Sequence, residues 1–574
     1  MKRLLISDFH IRTLVLGLIA VLTACNQKAG NGNLFAEQMA PLLDGMGDYH
    51  FDISTNDTLV AKYFDQGIML TYGFNHAEAE RSFRQVVLLD PKNPMAWWGI
   101  ALVQGPNINL PMQPEAIPKA WEALLKAQEL KDNGTQREQD YIDALANRYS
   151  QNPPEDRTYL DEAYVTAMGR LAEKYPDDLD AWVLYAEAMM NLHPWDYWTK
   201  EGQPRPWTPK ILETLEYVIK RNPDHPMANH LYIHAIEASK NPEKALPSAE
   251  RLGKAVPGAG HLVHMPAHIY IRVGMYHEGT LANERAVKSD NEYVTQCHAQ
   301  GIYPLGYIPH NHHFLWATAT LEGREQLSLD AAQSTSDLVD EQVMRQPGMG
   351  LLQHYWVIPL YGYVRFGKWD AILNYPKPDD ELLYPRGVWH YARGMAFLAK
   401  GEFDRATSEL KQVELIAADD TLQEVVILNN AQNLMQIADK VLEGEIAAAN
   451  KDYDTAVRLL GEAIDLQDGL QYNEPPDWFF PVRHNLGAVL LEANRPVEAE
   501  KVFKEDLEEF PKNGWSLYGL MKSLLAQGRE SQALLVKAQF EEAWKYSDIQ
   551  LTSPRILVPP DKVLGYAVPK STKS

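Results

Sequence analysis

Residues 63–102 read YFDQGIMLTYGFNHAEAERSFRQVVLLDPKNPMAWWGIAL, and the way this stretch is punctuated decides the fold. Alanine, leucine and glutamate recur at helical period, strand-like alternation is hard to find and turn chemistry is sparse, which makes the chain all-α. The small residues Gly67 and Ala79 let two helices approach closely, and Pro91 stops the second of them. The same frame returns near the C-terminus at Gly487, Ala499 and Pro511, followed by Gly528 and Ala533. Further copies are marked by Trp182 with Ala186, Gly394 with Ala406 and Gly444 with Ala456. In the middle, Pro223 and Pro257 lie 34 residues apart and set the register of two units that begin at Pro226 and Gly260.

The 63–102 segment resembles a tetratricopeptide repeat, a 34-residue pair of antiparallel helices, running into the start of the next copy. In that frame Gly67 takes position 8, Ala79 position 20, Phe83 position 24 and Pro91 position 32, and Trp97 takes position 4 of the following copy. The segments GFNHAEA, AWWGIAL-x-x-GPNIN and HLVHMPAHIY extend the likeness: over most of residues 45–545 the chain resembles bacterial tetratricopeptide-repeat lipoproteins. The resemblance implies an all-α fold, a right-handed superhelical solenoid of helical hairpins, and supplies little chemistry. Strict spacing fails at 106–175, where two helical patterns run in another phase, and at 290–308 and 340–352. After Gln550 the chain is proline-rich and reads as irregular.

At 574 residues, 45% hydrophobic and 23% charged, the chain is too long for a single core and divides into domains or an array. Its 77 acidic and 54 basic side chains give a net charge of −23, which repels phosphate backbones and argues against nucleic-acid binding. Two cysteines offer no internal disulfide framework if the first is taken up by lipid, as the N-terminal segment suggests. Residues 1–25, MKRLLISDFHIRTLVLGLIAVLTAC, have a basic start and an apolar run too short for a membrane span. Leu22-Thr23-Ala24-Cys25 resembles the bacterial lipoprotein cleavage box, which implies acylation of Cys25 and membrane attachment through that lipid; Asn26 then favours the outer membrane. The expected organisation is a signal peptide over 1–24, a tether over 25–55 and N-terminal hairpins with an irregular insertion over 56–225. His-rich central hairpins follow over 226–380, C-terminal hairpins over 381–546 and an irregular tail over 547–574.

Of 18 histidines, eleven fall between His225 and His313. In a tetratricopeptide array the first helix of each pair lines the concave groove through positions 2, 5, 9 and 12. That stripe holds His230, His234 and Glu237 in the unit beginning at Pro226, and His261, His264 and His268 in the unit beginning at Gly260. Gly323 and Gly367 register the next units and place His310, His313 and His354 on the same stripe. His225, His277, His298 and His312 lie off it. Paired imidazoles four residues apart, repeated on a neighbouring helix, suit a transition metal such as zinc, copper or iron, whereas calcium and magnesium demand oxygen. His230, His234, His261, His264, His268, His310 and His313 are therefore the candidate ligands. If the centre is catalytic, Glu237 is the preferred general base. Pro266, at position 7 of its helix, either restarts that helix near Met265 or kinks it beside His264 and His268.

Cys297 is either a soft ligand or a buried thiol, and Glu187, at a groove-facing position of its own unit, is a candidate carboxylate ligand or base. GPNIN at Gly105–Asn109 and the run from His193 to Trp198 offer amide and aromatic groups, as a platform or as packing. No phosphate-cradling glycine loop or nucleophile elbow is present. Two functions are thus expected: a groove carrying a transition-metal site for ligand binding or metal-assisted catalysis, or a metal-free scaffold docking a protein or peptide partner in its concave face.

Overall fold

The computed structural model describes residues 39–297 and 301–557. From Ala40 onward they form one compact unit, an all-α solenoid of helical hairpins in which each helix packs on its neighbour in the chain. Among the described residues there is no strand, only isolated bridges. Several helices begin where a short polar side chain meets the free backbone N–H groups of the first turn: Asp57 caps Thr58–Tyr72, and Asn93 caps Pro94–Val103, with Pro94 in the first turn.

The spacing read from the sequence has a steric cause. The ring of Phe83, on helix His76–Leu89, fills a notch between Gly67 and Gly99; a Cβ would come within 2.5 Å of it at Gly67 and 2.7 Å at Gly99. Phe503 repeats the arrangement with Gly487 and Gly519, where both approaches would be 2.3 Å. Gly67→Ala is therefore expected to lower the unfolding free energy by about 1–3 kcal/mol through overpacking, measured by urea denaturation; an unchanged midpoint would contradict the notch.

Hairpin turns place one residue in the left-handed region, two positions before the second helix. Gly274, Gly323, Gly367, Gly401 and Gly528 fill that place, with φ between 66° and 77°. In the first hairpin the same place is taken by Phe74, at φ 58°.

Two expectations about layout change. Residues 40–55, within the expected tether, are packed as a strap over the first hairpins. Phe51 is buried among Phe64, Trp98 and Tyr141, Ser54 donates to Glu138 through both its N–H and its hydroxyl, and Tyr49 donates to Asp180 at 2.8 Å. The terminal hairpin of an array has no outer neighbour, and this segment covers its apolar face instead. The tether before Met39, the signal peptide with Cys25, His298 and the tail from 558 lie outside the described residues.

The inner face is also enclosed. The C-terminal hairpins fold back on the central ones, with Tyr276 donating to the carbonyl of Pro511 at 2.9 Å and Trp515 to that of Thr320 at 3.0 Å. The expected open groove is consequently filled along the histidine stripe. The major apolar clusters, one within residues 40–308 and the other within 315–557, change over in the helix Ile308–Glu322, beside that stripe.

Candidate metal centre

Three units supply the imidazoles, one of them through a helix broken in two. Helix Pro226–Glu237 is buried at every residue, and its 3.6-residue period puts His230 and His234 on one face. Its N-cap is His225, whose Nδ1 accepts from the Ala228 N–H at 3.4 Å, so this off-stripe histidine starts the helix. In the next unit the chain forms Gly260–His264, breaks at Met265 and resumes as Pro266–Arg272. Pro266 has no N–H to continue the ladder, and it restarts the helix as one of the two sequence alternatives required. The helix of the third unit, Ile308–Glu322, carries His310.

These side chains converge. His230, His234, His268, His264 and His261 form a closed circuit, with successive ring centroids 4.9, 5.4, 4.8, 5.8 and 5.0 Å apart. His310 joins at 4.8 Å from His264 and 5.7 Å from His268. Nε2 of His230 lies 3.2 Å from Nε2 of His261, and Nε2 of His264 lies 2.9 Å from Nε2 of His268. All five circuit histidines are at most 3% exposed, and His310 is partly exposed.

The opposite ring nitrogens are held by the protein. Nδ1 of His230 faces the carbonyl oxygen of Tyr72 at 2.7 Å and therefore donates to it. Nδ1 of His264 faces Oδ1 of Asn283 at 2.6 Å, and the amide cannot be reversed without losing the bond from its Nδ2 to the Gly279 carbonyl. In both neutral rings the lone pair then sits on Nε2, pointing inward. His234 Nδ1 meets Glu237 Oε1 at 3.3 Å, and its Nε2 is buried without a hydrogen-bond partner. His268 Nδ1 lies 2.8 Å from Glu237 Oε2 and 3.1 Å from Glu474 Oε2, with the better-aligned hydrogen bond going to Glu474.

Electrostatics follow from burial and from these pairs. Burial, reinforced by neighbouring imidazoles, holds His230, His261 and His264 well below the usual histidine range, and His310 down to about 3, so all four are neutral donors at pH 7. Burial also opposes charge on His268, but Glu237 and Glu474 outweigh it and raise this group to about 10. Burial pushes Glu474 up to about 7, whereas at Glu237 the two facing histidines overcome burial and bring the carboxyl down to about 2.

Aromatic rings close the surroundings. Phe74 lies 4.6 Å from His230 and 5.5 Å from His261, and Trp195 meets His234 edge-on at 5.2 Å. Both are bulky residues held at positive φ, 58° and 62°, a costly backbone state that clusters at functional places. Tyr307 packs on His261 at 4.9 Å and accepts from Asn109 of the GPNIN loop at 3.1 Å. The run from His193 to Trp198 thus contributes a wall of the cluster through Trp195, and the GPNIN loop braces another, Tyr307.

Other candidates stand elsewhere. His313 points to a separate pair: it stacks on Trp316 at 5.2 Å and lies 5.5 Å from His354, whose Nδ1 meets the Tyr384 hydroxyl at 2.8 Å. Three residues beyond His310 on the same helix, it turns toward the following unit instead of the circuit. Cys297 donates to the Tyr293 carbonyl, burial pushes its thiol up to about 12, and it joins none of the donor groups found among the described residues. Glu187 pairs with Asn191 and Arg148. Glu237, the expected base, is engaged by His234 and His268 and stands as an orienting carboxylate. Glu474, Asn283, Phe74 and Tyr307 went unidentified in the sequence. Of these, only Phe74 carried a local signal, a bulky aromatic where five other hairpin turns have glycine.

No family model and no curated protein matches the chain. Solved structures similar to it include human IFIT1, as a dimer with m7Gppp-AAAA, at 12% identity over 86% of this chain and 91% of that chain, TM-score 0.30. Yeast Tom70 is similar at 12% identity over 86% and 93%, TM-score 0.28, and the P58(IPK) TPR domain at 11% over 82% and 99%, TM-score 0.19. With such scores the fold rests on the chain's own helix pairing.

Proposed function

We propose that this protein is an envelope lipoprotein whose helical array holds a transition metal in the buried histidine cluster. One observation carries the reading: inward Nε2 atoms stand 3.2 and 2.9 Å apart while the Tyr72 carbonyl and Asn283 Oδ1 occupy the outward Nδ1 atoms of His230 and His264. Two nitrogens each about 2.1 Å from one ion lie roughly 3.0 Å apart at a right angle and about 3.4 Å apart at the tetrahedral angle. Outer partners that fix ring orientation and tautomer are the usual support of histidine ligands. An all-imidazole set suits zinc, copper or iron. Glu237 and Glu474 orient His234 and His268 and offset cationic charge. A bound ion with an open position supplies Lewis acidity, either to hold a small ligand or to lower the pKa of water toward ~7. Any peptide partner of the array must dock elsewhere, because the five circuit histidines are buried.

Elemental analysis of the full chain, purified without a histidine tag from metal-replete cells, tests this. A stoichiometric transition metal is expected; its absence would overturn the reading. The anchor is tested separately. Cys25→Ser should shift the protein from the membrane fraction to the soluble one, and persistent membrane attachment would contradict lipid anchoring as the sole tether.

A further inference from the structure

If the cluster is a metal centre, it offers more donors than one ion can use, and its imidazoles fall into two sets, with a further group of Glu237, His268 and Glu474 sharing His268 with the second. His230, His234 and His261 bring one nitrogen each within 4.8 Å of one another, and so do His264, His268 and His310; among the described residues no set gathers all six. Each pair of closely facing Nε2 atoms lies inside one triad, not between them. With Nδ1 engaged in His230, His234, His264 and His268, each of those rings has only Nε2 to give. Three imidazoles plus an open position is a complete set for one zinc-like ion.

Glu237 ties the halves together. Its Oε1 lies 3.3 Å from Nδ1 of His234 in the first triad, and its Oε2 lies 2.8 Å from Nδ1 of His268 in the second. Glu474 adds a second buried carboxylate on His268. Two divalent ions would thus meet two carboxylates in a space otherwise walled by Phe74, Trp195, Tyr307 and Phe314. The triads differ in access. The first is buried at every member, whereas His310 leaves the second partly exposed.

We propose that the cluster binds two transition-metal ions, a closed one on His230, His234 and His261 and a ligand-accessible one on His264, His268 and His310, linked by Glu237. This rests on the metal-centre reading above and adds stoichiometry and a division of labour to it. For the test, the untagged full chain is stripped with a chelator, reloaded with Cu(II) and desalted, after which copper and protein are quantified and the electron paramagnetic resonance spectrum is recorded. Two coppers per chain are expected, with a spectrum broadened by coupling between neighbouring ions. His261→Gln and His310→Gln, whose rings carry the fewest other bonds, should each retain one copper with an isolated-ion spectrum and wild-type circular dichroism. Azide, a small anionic ligand, should perturb the spectrum of His261→Gln and leave that of His310→Gln unchanged. One copper in the wild type, lost in both variants, would overturn the pair and leave a single-ion centre standing. Two coppers in either variant would overturn the assignment to these triads, and none in the wild type would overturn the centre itself. The wild-type stoichiometry decides the matter even where a variant misfolds.

Discussion

Replacing His230 and His264 together by alanine is expected to strip transition metal from the protein while its helices persist. Each substitution removes an inward Nε2 from a different triad, so neither set of three imidazoles survives, and the remaining donor group, Glu237, His268 and Glu474, offers a single imidazole. The structural cost is bounded, because each leaves one acceptor behind, the Tyr72 carbonyl or Asn283 Oδ1, at about 1–3 kcal/mol for a buried unpaired group. Stability in a solenoid is spread over many neighbouring interfaces, which should absorb that loss. His268 is the worse choice, since alanine there deprives both Glu237 and Glu474 of their cationic partner. Metal content and far-ultraviolet circular dichroism on the same sample check the expectation; wild-type metal content in the double variant would contradict it.

The largest loss of stability is expected from Asp506→Ala, far along the chain from the cluster. Asp506 is 1% exposed, and its Oδ2 meets Nε2 of His484 at 2.9 Å, Nδ2 of Asn513 at 3.0 Å and the Ser516 hydroxyl at 2.6 Å. On its other side His484 accepts at Nδ1 from Arg365, a buried guanidinium stacked over Trp515 at 3.5 Å and Phe480 at 4.3 Å. The relay joins four helices and places one carboxylate opposite one buried cation. Removing the carboxylate strands Arg365, at about 3–5 kcal/mol out of a total stability of about 5–15 kcal/mol. Burial raises the Asp506 pKa, but His484, Ser516 and Asn513 overcome it and hold the carboxyl below its ordinary value. A folded-state pKa below the unfolded one stabilises above roughly pH 4 and is lost as pH falls through the folded value. Urea denaturation should therefore show a large deficit for the variant at neutral pH and a smaller one in acid. A deficit that is small or independent of pH would contradict the relay.

What the sequence revealed and what it hid follow from the range of the interactions involved. Gly67, Ala79 and Pro91 report on contacts within one hairpin, so the repeat and its register were visible from local spacing. The 34-residue offset of His230 and His264 likewise put both on equivalent faces of neighbouring helices. Local spacing carried no information on how far the array bends. Glu474 lies 206 residues from His268 and reaches it only because the C-terminal hairpins fold back, and the same closure turned an expected open groove into a buried cluster. His313 was misplaced for a related reason. A register assigns a helix face, but which neighbouring unit that face meets depends on packing, and His313 meets His354. Cys297 had neighbours in sequence that suggested a ligand, yet its thiol bonds back to the Tyr293 carbonyl one turn away.

The presence of a histidine-bound transition metal is tested most directly by X-ray absorption at the edge of the metal found in the natively purified, untagged protein. A first shell of nitrogen at about 2.0–2.1 Å with the outer-shell scattering of imidazole rings is expected, lost in the His230→Ala, His264→Ala variant. A protein free of bound metal, or a shell made of oxygen alone or of sulfur near ~2.3 Å, would contradict it.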